Sequence, residues 1–183
     1  MPYSTLPRLH VTTTAFEKGE EIPMDYTPDG KNISPDMAWT VAPPRVKSFV
    51  ILMEDYDIPL PKWMLPSWVH WVVYNIGHET RSIPKDFLQD GPSFSGAALG
   101  RTSFLKSCYF GPCPPFGTHR YYFKVYGLDR LLDVPPQHAT KKKIENAMAG
   151  HVIAYGELMG KYSRKKRWPS WKRESSLSKG NPV

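Results

Sequence analysis

The sequence predicts an all-β fold of antiparallel strands, a sandwich or barrel with one or two short helices, and three observations carry that expectation. Short runs rich in β-branched and aromatic residues recur between clusters of Pro, Gly and Asp, without the alternation of strand and long helix that builds a parallel sheet. The 183 residues include 19 prolines and 13 glycines, which interrupt the chain too often for a helical bundle. Apolar residues make up 40% and charged residues 22%, a globular composition in a chain long enough to bury its own core.

In chain order, residues 9–16 are the first strand, followed by turn signals at Pro28-Asp29-Gly30-Lys31-Asn32 and at Pro43-Pro44. Residues 48–54 and 68–75 are the next two strands. In the second of these, strict alternation puts Trp68, His70, Val72 and Tyr74 on one face, opposite Val69, Trp71, Val73 and Asn75. A short helical turn is expected at 84–88, and the Gly- and Pro-rich stretch 91–115 reads as mostly loop. The strand at 120–128 extends an alternation that groups His119, Tyr121, Phe123 and Val125 against Arg120, Tyr122, Lys124 and Tyr126. One helix spans 141–149, with Thr140 as N-cap, Ile144, Ala147 and Met148 on one face and Gly150 as the stop. Its three lysines sit in the first turn, the unfavourable end of the helix dipole. Residues 151–162 add a late strand.

The net charge of +7 is not spread along the chain. Residues 1–160 hold 16 of the 24 Lys and Arg and 16 of the 17 Asp and Glu, so the whole excess falls in the last 23 residues. A balanced domain, 1–162, is therefore expected to precede a basic, non-packing tail, 163–183. Lys161, Arg164, Lys165, Lys166, Arg167, Lys172 and Arg173 interleave there with Trp168 and Trp171. That pattern suits an anionic membrane or a nucleic acid as partner, or simply a solvated terminus.

Cys108 and Cys113 are the two cysteines. A disulfide would close only a small loop, and a zinc site would need two further ligands, so two free thiols are expected. With no membrane-length apolar run and no apolar signal core in residues 1–10, the expected address is the cytoplasm.

Three clusters bear chemistry. Asp55-Tyr56-Asp57-Ile58-Pro59 closes an apolar strand with two carboxylates two residues apart, which share a face if the strand continues. Trp68-Val69-His70-Trp71 and Gly111-Pro-Cys-Pro-Pro-Phe-Gly-Thr-His119-Arg120-Tyr121 each set a histidine among aromatics. A carboxylate fixes an imidazole's tautomer, an imidazolium in a small apolar pocket attracts an anion, and loop N–H groups complete an anion cradle. Taken singly, each element also fits a capped turn or a satisfied core histidine. A metal set of His70, His119 and one or two Asp has suitable donors but no close-spaced His pair. A Gly-x-Ser-x-Gly nucleophile and the phosphate-loop and dinucleotide fingerprints are absent from the sequence.

These residues resemble the phosphatidylethanolamine-binding protein family, which includes the Raf kinase inhibitor proteins, and specifically its bacterial and archaeal branch. Asp29-Gly-Lys-Asn-Ile-Ser-Pro35 with Trp39 resembles D-G-x-N-x-S-P and its following Trp, and Asp55 to Pro59 resembles D-P-D-x-P. Trp68 to Trp71 resembles W-x-H-W, and Gly111 to Tyr121 resembles G-P-x-P-P-x-G-x-H-R-Y. The resemblance implies a β-sandwich with a Greek-key central sheet and a small end pocket for phosphate, phosphoethanolamine or a phosphorylated side chain. Asp55, His70, His119 and Tyr121 would line it, with Asp57, Pro59, Gly111 and Pro112 in support. Tyr56 departs from the motif's proline, and the basic tail has no counterpart in the family.

The expected function is an anion-binding regulatory protein with a protein partner, in a family whose members bind phospho-anions or lipid headgroups and inhibit kinases or serine proteases. No catalytic residue, metal or cofactor is assigned. The alternatives are a metal-assisted hydrolase or lyase using the same His and Asp cluster, and an interaction module working through the tail.

Overall fold

A computed structural model describes residues 3–40, 42–87 and 96–164 of the chain. Its strands are β1 (Val11–Thr12), β2 (Met37–Trp39), β3 (Ser48–Asp55), β4 (Trp68–Gly77), β5 (Ser82–Ile83), β6 (Ala98–Leu99), β7 (Thr118–Leu128) and β8 (Val152–Ser163), and helix α1 (Lys141–Met148) lies between the last two. The large sheet runs β6-β4-β3-β7-β8 and the small one β1-β2-β5, with every named strand pair antiparallel. Within the large sheet the order β7-β3-β4-β6 places the fourth strand beside the first, which is the Greek-key arrangement.

Two apolar layers explain why β3 reads as an unbroken hydrophobic run. Between the sheets, Val11, Met37, Trp39 and Ile83 meet Phe49, Ile51, Met53, Trp71, Phe123 and Val125. On the opposite face Val50, Leu52, Val72 and Leu128 pack under Ile144 and Met148 of α1. All eight residues of β3 are buried as a result, and each fully buried Ile, Leu or Phe contributes about 1.5–3 kcal/mol.

The helix starts where the sequence places it, since the Thr140 side chain accepts from the Lys143 N–H, and it ends before Gly150 at φ 78°. The expected 9–16 strand shrinks to two residues because Asp36 takes the next backbone group: it accepts from the Thr14 N–H at 3.0 Å and from the Thr13 and Thr14 hydroxyls. Residues 85–87 form a turn rather than a helix, with Asp86 at φ 58°, and residue 88 lies outside the described residues. The short β2, β5 and β6 have no period to read.

Strict alternation fails in β4. Met53 pairs with Trp71 and Glu54 with Val69, so two steps of β4 oppose one of β3 and His70 is the extra residue. Val69 consequently joins Val72 and Tyr74 in the helix-side layer, whereas His70 stands edge-on to Tyr121, which belongs to the layer between the sheets. The expectation that His70 shares a face with Val72 and Tyr74 is therefore corrected. A second irregularity falls between the Phe49–Ile76 and Ile51–Val73 pairs. There Asn75 adopts φ 58° and its amide both donates to the Leu132 carbonyl and accepts from the Leu132 N–H.

Candidate functional site

The end of β3, the bulge of β4 and the start of β7 converge. Asp55, the last residue of β3, lies in register with Trp68 and Tyr121. The His119 Nδ1–H donates to Asp55 Oδ2 at 2.7 Å, with both side chains only 5% exposed. The other Asp55 oxygen accepts from the Asp57 N–H at 2.7 Å, which turns the chain. The strand ends at Asp55, so the condition under which the two carboxylates would share a face is not met. Asp57 instead grips Arg120, accepting from its N–H and Nε at 2.8 Å and from Nη2 at 2.6 Å. These bonds hold the Asp57 carboxyl below the usual carboxylate range. The neighbours His119 and Arg120 thus each have their own aspartate.

His70 is clamped by the Phe110 backbone. Its Nδ1–H donates to the Phe110 carbonyl at 2.7 Å, while the Phe110 N–H donates to the His70 carbonyl at 3.0 Å. Burial pushes its pKa down to about 4, outweighing the Phe110 and Gly111 backbone and Asp55, which favour the charged ring. At neutral pH His70 is therefore uncharged, and with the proton fixed on Nδ1 its Nε2 carries a lone pair.

Tyr121 completes the cluster. Its hydroxyl is buried and makes no hydrogen bond; the Cys113 backbone lies near it without closing one of normal geometry. Burial, and then the Asp55 charge, raise its pKa, so the O–H stays protonated. A buried donor left unpaired costs about 1–3 kcal/mol, and the ring that bears this one stands edge-on to His70.

The supporting residues act differently from one another. Gly111 packs so closely that a Cβ would lie 2.1 Å from the Tyr26 carbonyl oxygen and 2.8 Å from the Thr27 Cα. Its N–H donates to Asn32 Oδ1 at 2.9 Å, so this group is spent on the scaffold rather than on an anion cradle. Pro112 is buried and Pro59 exposed. Asp29 accepts from the Tyr162 hydroxyl at 2.9 Å and from Arg164 Nη2 at 2.6 Å. The Asp29 to Pro35 motif is thus a brace for the loop that carries Phe110 and Gly111. Tyr56, in place of the motif's proline, anchors its loop by packing edge-on to Tyr122 and lying 4.6 Å beneath the Lys124 ammonium.

An open depression of about 480 Å³ adjoins the cluster, lined by Asp57, Phe116, Gly117, His119, Arg120 and Lys161. Asp55, His70 and Tyr121 lie beneath this surface, 0–4% exposed. Cys108 and Cys113 are free thiols. Among the described residues no three His, Cys, Asp or Glu side chains converge to hold a metal ion, and no helix is long and apolar enough to cross a membrane. Of the basic residues named with the tail, Lys161 lies within β8 and Arg164 directly follows that strand, whereas Lys165, Lys166, Arg167, Lys172 and Arg173 lie outside the described residues.

Sequence reasoning missed a second buried charge cluster on the other face. Glu54, wholly buried, accepts from Ser67 Oγ at 2.6 Å and pairs with Lys124 at 3.0 Å and Lys141 at 2.5 Å. Burial alone would raise its pKa, but the two ammoniums hold it below the usual range. The signal that pointed there was Lys141, a cation at the wrong end of its helix.

Fold and cluster together define a two-sheet β-sandwich with a buried Asp, His and Tyr cluster at one end of its central sheet. The family model described as phosphatidylethanolamine-binding protein matches residues 12–163. A UPF0098 protein of Aquifex aeolicus is 42% identical over 159 residues, covering 85% of this chain and 89% of that one. A homologue from Chlamydia trachomatis, CT736, described as a phosphatidylethanolamine-binding protein homologue, superimposes with a TM-score of 0.76 at 34% identity, covering 86% of this chain and 99% of that one. Escherichia coli YbcL, described as a member of the mammalian family of that name, gives 0.78 at 28% identity with the same coverage. The chain belongs to the phosphatidylethanolamine-binding protein family.

Proposed function

We propose that this protein is a cytoplasmic regulator that captures a phosphate-bearing group at the cluster of Asp55, His70, His119 and Tyr121. The observation that carries the reading is the buried Tyr121 hydroxyl without a partner, next to the His119–Asp55 pair. An incoming phosphate oxygen would accept from Tyr121 and from a His119 Nε2–H, while the His70 Nε2 lone pair would accept from a P–OH group. That set of donors and one acceptor favours a singly protonated phosphomonoester, such as phosphoethanolamine or a phosphorylated side chain, over a phosphodiester. The cluster has no nucleophile with a dedicated base, so the reading is binding rather than turnover. Inhibition of a kinase or serine protease is the regulatory outcome that the family resemblance offers.

An NMR titration with phosphate and phosphoethanolamine at fixed ionic strength tests it. Saturable shifts of the His70 and His119 ring signals are expected, and the His119 shift is expected to vanish in His70→Ala. An absence of shifts up to high millimolar ligand would overturn the reading.

A further inference from the structure

β8 is the outermost strand on its side of the large sheet. It pairs with β7 in the register Tyr126–Tyr155, Lys124–Glu157, Tyr122–Met159 and Arg120–Lys161. Along such a strand alternate residues turn both N–H and C=O to the same edge. Tyr155 and Lys161 turn theirs away from β7, because Tyr155 is bonded to Pro7 and Leu9, and Lys161 to Glu20 and Ile22. Glu157 and Met159 lie between them in the same phase, so their backbone groups face outward as well.

Two stretches of N-terminal chain cover this outer edge, both parallel to β8. The Tyr155 N–H donates to the Pro7 carbonyl at 3.0 Å, and the Tyr155 carbonyl accepts from the Leu9 N–H at 2.9 Å. At Lys161 the Glu20 carbonyl and the Ile22 N–H do the same at 2.8 and 2.7 Å. Between these two positions the chain leaves the edge for the small sheet. The His10 carbonyl accepts from the Thr40 N–H, Val11 pairs with Trp39, and Asp36 ties down Thr13 and Thr14. The chain returns at Gly19, whose N–H donates to the Met159 carbonyl at 2.7 Å. Three outward groups, the Glu157 N–H, the Glu157 carbonyl and the Met159 N–H, are left without a partner among the described residues. A recess of about 430 Å³ opens at this gap, lined by Gly156 and Glu157 and by Leu9, Val11, Phe16 and Leu158, which belong to the apolar layer between the sheets.

We propose that the gap binds a short extended peptide, parallel to β8, with an apolar side chain on its second residue. The three open groups ask for an acceptor, a donor and an acceptor in that order, which is what such a peptide presents. The carbonyl before its first residue accepts from the Glu157 N–H, as Pro7 does from Tyr155. The N–H of its second residue donates to the Glu157 carbonyl, as Leu9 does to Tyr155, and the carbonyl of that residue accepts from the Met159 N–H. Its first side chain shares the face of Glu157, and its second is turned to the opposite face, beside Leu158 and Phe16, where the lining is apolar. A longer strand is excluded, because residues 7–9 and 19–22 hold the edge on either side. This site is separate from the phosphate cluster and does not depend on it.

NMR of the full-length protein with N-acetyl-glycyl-leucinamide as probe tests the proposal. Without the probe, the Glu157 and Met159 amides should exchange with solvent at least about a hundredfold faster than those of Tyr155 and Lys161 on the same strand. The probe should give saturable shifts at these two amides and at Leu158 and Phe16, and should slow their exchange. Methylating the leucine nitrogen of the probe removes the donor to the Glu157 carbonyl and should weaken binding about tenfold. Glu157→Pro, at an edge position where proline is tolerated, should weaken it by a similar factor, and the methylated probe carries the test alone if that variant does not fold. Exchange at Glu157 as slow as at Tyr155, no shifts up to high millimolar probe, or equal binding of the two probes would each overturn the proposal.

Discussion

Glu54 and Asp55 are adjacent on β3 and serve opposite faces of the same sheet, and their surroundings differ in one respect that separates scaffold from site. Glu54 is wholly buried with Ser67, Lys124 and Lys141 around it, a closed set that ties α1 to the sheet. Asp55 is as deeply buried and also saturated, by His119 and the Asp57 N–H. Its neighbours are not saturated: the Tyr121 hydroxyl has no partner and His70 is held neutral against the pull of Asp55. A buried charge whose partners are all supplied by the protein marks architecture. Unmet hydrogen-bonding capacity around one is what supports the proposed ligand site.

The comparison breaks most visibly at Glu54. Glu54→Gln leaves two partly buried ammoniums without their counter-ion and should destabilise the protein by about 3 kcal/mol, read from the urea midpoint. If Glu54 is scaffold alone, the phosphate titration of the folded variant keeps its wild-type midpoint.

His70 gives a pH signature of similar size. Its folded pKa of about 4 lies below the ordinary value of 6.5, so between these limits the unfolded chain binds a proton that the folded chain refuses. Stability is therefore fully present above pH 6.5 and falls with the pH down to about 4, by about 3 kcal/mol in all. Denaturation midpoints in that window should slope in the wild type and flatten in His70→Gln. Glu54, whose pKa is depressed from 4.5, adds a further loss only as the pH drops below that value, so the two contributions separate along the pH axis.

How much of this was legible beforehand follows from where periodicity holds. The long strands, the capped helix and both histidines were readable because β-branched runs, Thr140 and Gly150 are local signals. His70's orientation was not, since a bulge is decided by the pairing of two strands distant in sequence, and Val69 and His70 carry no mark of it. The Glu54 cluster was half legible: Lys141 looked misplaced on its own helix, and its partner lies 87 residues away on β3. Asn32, quoted within a motif, gained its role only when the Gly111 N–H was found on its side chain.

The smallest expected effect is the most telling, because its two readouts move in opposite directions. Tyr121→Phe removes the buried hydroxyl that the protein leaves unpaired, and stability and phosphate affinity are to be measured on the same preparation. The account predicts a variant more stable by about 1 kcal/mol that binds phosphate about tenfold more weakly. A variant that is less stable and binds phosphate as the wild type does would show that the hydroxyl serves the fold, and would contradict the assignment of this cluster as the ligand site.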